Sequence, residues 1–320
     1  MGLLKFSHQI NSQEEGKRLD QVLAEVLPVF LKQPVSKSKI RKLIISGAIY
    51  LNRKRVRIAS KPLYKNAKVE AYIDLKKLFS SETEKDFVFQ MSEDFILFED
   101  AHLIIVNKPP GLPTQPTLDE ARNNLFHEVG KFLARREGVS NPYLGLHHRL
   151  DRDTSGIILL TKTKEINPGI AEIFSKHQAK KIYSMITQRP KKLPEKTWTV
   201  KNYLSTQNNE KKQKFISVRS GGNFAHTDFV LKEILAQALW IEAHLHTGRT
   251  HQIRVHLSEM GLPVLGDSLY GTPHPPRMML HAHRLTFQHP MTSLEISVEC
   301  PLPKDFTKCL QNLRTRKTGS

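Results

Sequence analysis

At 320 residues the chain is long enough for one large core with a small satellite, or for two domains of ordinary size, and two is the expectation. Hydrophobic residues at 39% and charged residues at 25% exclude a compositionally disordered chain, while a formal charge of +18 points to a polyphosphate partner. Cys300 and Cys309 are too few and too oddly spaced for a disulfide framework, and no leader-like start or apolar run of about 18 residues occurs, so a reducing, cytoplasmic setting without a membrane span is expected.

The basic charge is uneven. Residues 1–76 hold sixteen Lys and Arg against six Asp and Glu, a net of +10, which makes this quarter the densest basic surface. Leu19, Val22, Leu23, Val26 and Leu27 have helical spacing, with a break expected at Pro28 and Pro34. A second helix begins at Ser36 as N-cap, places Ile40, Leu43 and Ile44 on one face and stops at Gly47. Lys37, Arg41 and Lys42 are left to face outward, where their clustering suggests contacts with RNA phosphates. Short β-like runs follow at 48–52 and 69–73, with the basic Arg53-Lys-Arg-Val-Arg57 between them.

Residues 77–94 are polar and aperiodic and read as a linker. Beyond it, 103–107 and 157–161 look like buried strands, and 227–234 and 238–246 alternate like antiparallel ones. Helical stretches lie around 125–136 and 166–177. This mixture argues an α+β domain over 95–312, followed by a basic tail at 313–320; residues 272–277 read as a turn or loop.

Three segments stand out. His147-His-Arg-Leu-Asp-Arg-Asp-Thr-Ser-Gly156 is a dense polar loop just before a buried strand, where function concentrates; the same residues could equally be turn formers, with Gly156 supplying an unusual φ. Thr247-Gly-Arg-Thr-His-Gln-Ile-Arg-Val-His-Leu257, running to Gly261, has Ile253, Leu257 and Met260 at helical spacing, with Arg254 at the edge of the apolar face. A partly buried arginine there needs a carboxylate. Lys180-Lys-Ile-Tyr183 puts a tyrosine in a strand, which alone says nothing.

Taken together, His148-Arg-Leu-Asp-Arg-Asp-Thr-Ser-Gly156, Asn107-Lys-Pro-Pro-Gly111, Tyr183, Thr247-Gly-Arg-Thr-His-Gln-Ile-Arg254 and Pro263-Val-Leu-Gly-Asp267 resemble the RluA-type pseudouridine synthases over roughly residues 95–300. Residues 17–74 resemble an S4 RNA-binding domain through Arg18-Leu-Asp, Ser36-Lys-Ser and Ile44-Ile-Ser-Gly-Ala-Ile-Tyr-Leu-Asn52. The resemblance implies an α+β pseudouridine synthase fold with a mixed, mainly antiparallel sheet, preceded by a small α/β S4 domain. It also implies Asp151 as the catalytic aspartate, Tyr183 as the active-site tyrosine and Arg254 as the arginine paired with the aspartate. By the same token Arg149 would fill the space left by a flipped nucleotide and Ile253 would line the uracil pocket. Two departures lie in the S4 part: Arg53 stands where the family has the glycine of an Asn-Gly turn, which questions that turn, and Asn66-Ala67 replaces a Gly-Asp.

The chemistry suits these residue types. The C1′–N1 bond of uridine must break, the uracil rotate and a C1′–C5 bond form, with no redox change, so neither cofactor nor metal is expected. One ionised carboxylate can act as nucleophile at C1′ or as base toward the 2′ proton, and both routes stay open. Fifteen histidines suggest a metal, but the pairs 147/148, 244/246, 251/256 and 281/283 lack a zinc-enzyme arrangement. A glycosidase would need a second carboxylate, for which Asp153 is the one candidate nearby. Large-subunit ribosomal RNA is the expected substrate, transfer RNA the second choice, a non-catalytic RNA-binding assembly factor the rival of another class, and a monomer the expected state.

Overall fold

A computed structural model describes residues 4–75, 78, 89–116, 123–209, 212–271 and 277–315. The chain divides into two compact units, Met1–Val88 with Pro116–Asn123, and Phe89–Gln115 with Asn124–Ser320.

In the first unit, β1 (Leu4–Gln9), β2 (Ile49–Leu51), β3 (Lys54–Val56) and β4 (Lys68–Ile73) form an antiparallel sheet in the order β1-β4-β2-β3. Helices α1 (Leu19–Leu31) and α2 (Lys37–Ile45) bury Leu19, Val22, Leu23, Leu27, Ile40 and Ile44 in its core. Each such side chain contributes about 1.5–3 kcal/mol on leaving water. Ser36 caps α2 by accepting from the Lys39 amide, and Gly47 follows with φ +80°. Pro28 does not break α1. It sits in the last turn, where losing one amide costs little, and Lys32 closes the helix in the left-handed region. The β2–β3 turn keeps its hairpin geometry without glycine: Asn52 and Arg53 both adopt positive φ, 48° and 64°.

The second unit is built on one eleven-stranded sheet: β5 (Ile96–Glu99), β6 (Leu103–Lys108), β7 (Gly145–Leu146), β8 (Ser155–Thr161), β9 (Lys180–Gln188), β10 (Thr197–Asn209), β11 (Lys212–Val218), β12 (Asn223–Ile234), β13 (Ala238–Leu245), β14 (Leu280–Gln288) and β15 (Glu295–Glu299). The main path runs β11-β10-β12-β13-β9-β14-β8-β6-β5, with β15 on β14 and β7 on β8. Among the described residues the β8–β14 pair is parallel and every other pair antiparallel. β6 and β8 read as unbroken apolar runs because both their faces are covered. α3 (Leu125–Glu137) packs on Ile104, Val106, Ile158 and Leu160; α4 (Asn167–Ser175) packs on the opposite face against Ile105, Ile157 and Leu159. α5 (Gln252–Glu259) inserts Ile253 and Leu257 against Phe229, Ile241 and Ala243, and α6 (Lys304–Thr315) sets Phe306 and Leu310 on Ile186.

Two expected boundaries shift. Most of 77–94 lies outside the described residues, but Phe89 and Met91 are buried in the core under α3, so the last six positions belong to the second unit rather than to a linker. α6 continues to Thr315, three residues into the expected tail, where Arg314 pairs with Glu233; 316–320 lie outside the described residues, as do 272–276 of the expected 272–277 loop. No helix among the described residues is long and apolar enough to cross a membrane.

Candidate active site

Asp151 stands on the turn between β7 and β8, and its position is set by bonds on either side. The Thr154 amide donates back to the Asp151 carbonyl at 3.2 Å. Thr114 Oγ1 donates to the Leu150 carbonyl (2.8 Å) and accepts from the Leu150 amide (3.2 Å). Lys108 is fully buried, and its ammonium donates to the carbonyls of Pro109 (3.0 Å), Leu112 (2.8 Å) and Arg152 (2.9 Å), stitching the Asn107-Lys-Pro-Pro-Gly111 segment to the Asp151 turn. Burial pushes this lysine down to about 7, against the opposing charges of Asp153 and Asp151.

Arg254 faces that turn from α5. It is 8% exposed, and its Nη1 donates to Asp151 Oδ2 at 2.8 Å. Nε and Nη2 form a fork on the buried Asp267, at 2.7 and 2.9 Å. Burial works against the charge of Arg254, but Asp267 and Asp151 together raise its pKa above the ordinary arginine value. Burial likewise works to raise Asp267, yet Arg254 and the amides of Leu269 and Tyr270 hold it below the usual carboxylate range. The Tyr270 ring lies under the guanidinium, 5.0 Å from centroid to carbon. His251, in the left-handed conformation just before α5, has Nε2 3.7 Å from Asp151 Oδ2, while its Nδ1 is 3.0 Å from the Tyr270 hydroxyl.

Asp151, Tyr183, Ile253 and Arg254, spread over 103 positions in sequence, line one small pocket of about 60 Å³. Arg149 stands at its exposed rim. Burial and the Asp151 charge raise the Tyr183 phenol well above its ordinary value, so it stays protonated at neutral pH. Arg149, Tyr183, Leu245 and Arg249 also line an adjoining cleft of about 750 Å³, large enough for nucleotides and furnished with Lys181 and His177. Burial first, then the nearby Arg249, lowers the Lys181 pKa, and among the described residues no carboxylate pairs with it.

The sequence profile of RNA pseudouridylate synthases matches residues 102–259. A protein of Synechocystis sp. named as an uncharacterised RNA pseudouridine synthase is 33% identical over 94% of this chain and 90% of its own length. The chain belongs to the RNA pseudouridylate synthase family. Relatives of this pseudouridine synthase include the ribosomal large subunit pseudouridine synthases D of Zymomonas mobilis, 30% identical over 93% of this chain and 95% of that protein, and of Neisseria meningitidis, 32% identical over 93% and 79%. The solved structure of human RNA pseudouridylate synthase domain containing 4 superimposes with a TM-score of 0.57 at 25% identity, covering 69% of this chain and 93% of that one.

Several site residues of the synthase escape a reading of the sequence. Asp267 appears only as the end of a motif, although an arginine fork needs two oxygens and a single Asp151 cannot take every donor. His251, Lys108, Lys181, Arg249 and Tyr270 gain their roles from three-dimensional neighbours. Asp153 turns its carboxylate to Arg152 within the same loop, 2.9 Å away, both side chains 40% exposed. Arg41, expected to face outward, points its Nε at Asp20 of α1 (3.4 Å), because that nearly buried carboxylate needs counter-charges; Lys37 and Lys42 are exposed. Two of the paired histidines serve structure: His148 accepts from the Leu159 amide and stacks on Phe174, while His281 sits between Ser155 Oγ and the Cys300 carbonyl.

Proposed function

We propose that this enzyme isomerises uridines of large-subunit ribosomal RNA, with Asp151 as the catalytic carboxylate. The observation that carries the reading is the 2.8 Å contact of Arg254 Nη1 with Asp151 in a pocket shared with Tyr183 and Ile253. The reaction breaks C1′–N1 and forms C1′–C5; N1 ends with a proton and C5 loses one, so the step is redox-neutral and draws on no metal or organic cofactor. Asp151 meets the ribose as nucleophile or as base, and Arg254 supplies its counter-charge and orientation. The protonated Tyr183 stacks on the base while it turns, and Ile253 forms the apolar wall. A stacked uridine hides C1′, so the nucleotide flips out at a cost of a few kcal/mol, partly offset by Arg149 entering the gap. The choice of ribosomal over transfer RNA rests on the names of the relatives at 30–32% identity. The first unit is read as an S4-like RNA-binding domain, with Lys37 and Lys42 on phosphates, and the enzyme as a cytoplasmic monomer.

The test is isomerisation of ribosomal RNA purified from a strain lacking the protein. Asp151→Asn should give no pseudouridine while binding RNA as the wild type does, because affinity comes from phosphate contacts and stacking. Asp153→Asn should keep most of its turnover. An active Asp151→Asn with a dead Asp153→Asn would overturn the catalytic assignment, and wild-type activity on transfer RNA alone would overturn the substrate.

A further inference from the structure

Away from the active site, one side-chain group on the sheet has no part in the reaction just described. On β12, Thr227 is buried toward α5, where Gln252 and His256 reach its hydroxyl at 2.8 and 3.1 Å. Alternation along the strand therefore turns His226 and Asp228 to the opposite face. His246, just after β13, lies across from His226 and donates its amide to the His226 carbonyl at 3.1 Å.

The three side chains converge. The two imidazoles stack with centroids 3.9 Å apart and planes 12° from parallel. Both aim Nε2 at one carboxylate: His226 is 3.4 Å from Asp228 Oδ1 and His246 is 2.6 Å from Oδ2. One ligand atom from each lies within 4.8 Å of the others. Behind them Thr199 of β10 donates Oγ1 to Asp228 Oδ1 at 2.6 Å, fixing the carboxylate as an outer hydrogen bond fixes a metal ligand.

We propose that His226, Asp228 and His246 bind one zinc ion, with water completing the tetrahedron on the exposed side. Two imidazoles and a carboxylate are a zinc-type donor set, and zinc bonds of about 2.1 Å put tetrahedral ligand atoms roughly 3.4 Å apart. The His226–Asp228 pair already has that spacing, 3.4 Å. The hydrogen bond from His246 and its stack on His226 must both open, because each imidazole donates in its own ring plane, and the half-exposed His246 side chain is the one placed to swing. Lys201, paired in register with His226 on β10, opposes the cation and sets a moderate affinity. The site is separate from Asp151 and supplies no reaction chemistry. Its effect is to pin the end of β13 to β12 directly behind Thr247 and Gln252, which bond the His226 amide (2.9 Å) and carbonyl (3.0 Å).

The experiment is calorimetric titration of the chelator-treated full chain with zinc, paralleled by cobalt(II) absorption, whose intense visible bands report tetrahedral coordination. One ion per chain is expected, together with a rise in melting temperature on adding zinc. His246→Ala and His226→Ala should each weaken binding at least about 100-fold, and Thr199→Val, which removes only the outer bond, about tenfold. His283→Ala, a partly exposed histidine paired with Glu299, should change nothing. His246 is exposed enough that its alanine variant keeps the fold, which circular dichroism would verify. No saturable zinc binding to the wild type, or equal binding by His246→Ala, overturns the site.

Discussion

Arg254 grips Asp267 through two parallel hydrogen bonds, and this fork is what leaves Nη1 alone to reach Asp151. The guanidinium is planar, so fixing two of its nitrogens fixes the direction of the third. With Asp151 as the proposed catalytic carboxylate, Asp267 takes the part of a positioning residue acting through Arg254, fully withdrawn from solvent.

Asp267→Asn should therefore harm both stability and turnover. Removing one charge of a buried pair costs about 3–5 kcal/mol, since Arg254 is left with only the partly exposed Asp151 to balance it. RNA affinity should stay within about twofold, because phosphate contacts lie elsewhere. Denaturant unfolding, turnover and binding separate the three effects; an Asp267→Asn enzyme of wild-type stability and rate would mean that the fork neither holds the helix nor aims the arginine.

The parts of this site legible in the sequence lie in the segments that resemble the pseudouridine synthases, since the polar loop alone fits a turn former as well as a catalytic carboxylate. Asp151 stands in a polar loop ahead of an apolar strand, and Arg254 sits beside the core-facing Ile253 on a helix ending at Gly261. Residues whose neighbours come from distant segments were hidden. Lys108 reads as one more lysine until the Arg152 carbonyl is seen on it, and Lys181 as a strand lysine until Arg249 is seen beside it. In the fold, β1 escaped notice because only Phe6 of its six residues is buried, too little for a period-two pattern. Arg53 looked unfit for its turn, but the β2–β3 pairing outweighs a strain of about 1 kcal/mol at its positive φ.

Gly156 explains why the polar loop ends as it does. Its φ is +114°, and a Cβ there would lie 2.2 Å from the Ala282 carbonyl oxygen on β14, across the parallel strand pair. Gly156→Ala should cost about 3 kcal/mol or more, through strain and the parting of β8 from β14. Gly111, with φ +83° and nothing within 4 Å of an added Cβ, meets the conformational penalty alone, so Gly111→Ala should cost about 1 kcal/mol. Paired unfolding curves check the difference; equal losses would show that the strand contact has room to give.

His256 and His281 should make the protein acid-sensitive. Burial lowers both to about 4, with His226 adding to the effect at the first, and each is tied by both ring nitrogens to neutral partners. Their folded pKa lies below the unfolded value of about 6.5, so protons bind the unfolded chain more readily. The stability they provide is complete above pH 6.5 and is lost as pH falls from there toward 4, at up to about 1.4 kcal/mol per pH unit for each histidine. Unfolding free energies at pH 7, 6 and 5, with NMR titration of the two imidazoles, would test this; rings titrating near 6.5 in the folded protein would refute it.

Lys181 offers the clearest separation of binding from folding. It is largely buried in the wall of the 750 Å³ cleft, close to Arg249, and no carboxylate among the described residues balances it. Burial lowers its pKa, which means that the free protein bears a cost for keeping it charged. Lys181→Met keeps the stem and removes the charge, so the free enzyme should become as stable as the wild type or more so. An RNA phosphate entering the cleft reverses the sign, because it meets a cation that water cannot fully screen. The variant should therefore bind RNA more weakly, with a slope of log K against log salt shallower by about 0.7, the value for one lost phosphate contact on a single strand. Salt-dependent binding and thermal unfolding of the same preparation give both readings. A less stable Lys181→Met with an unchanged salt slope would make this lysine a packing residue and remove the phosphate from the cleft.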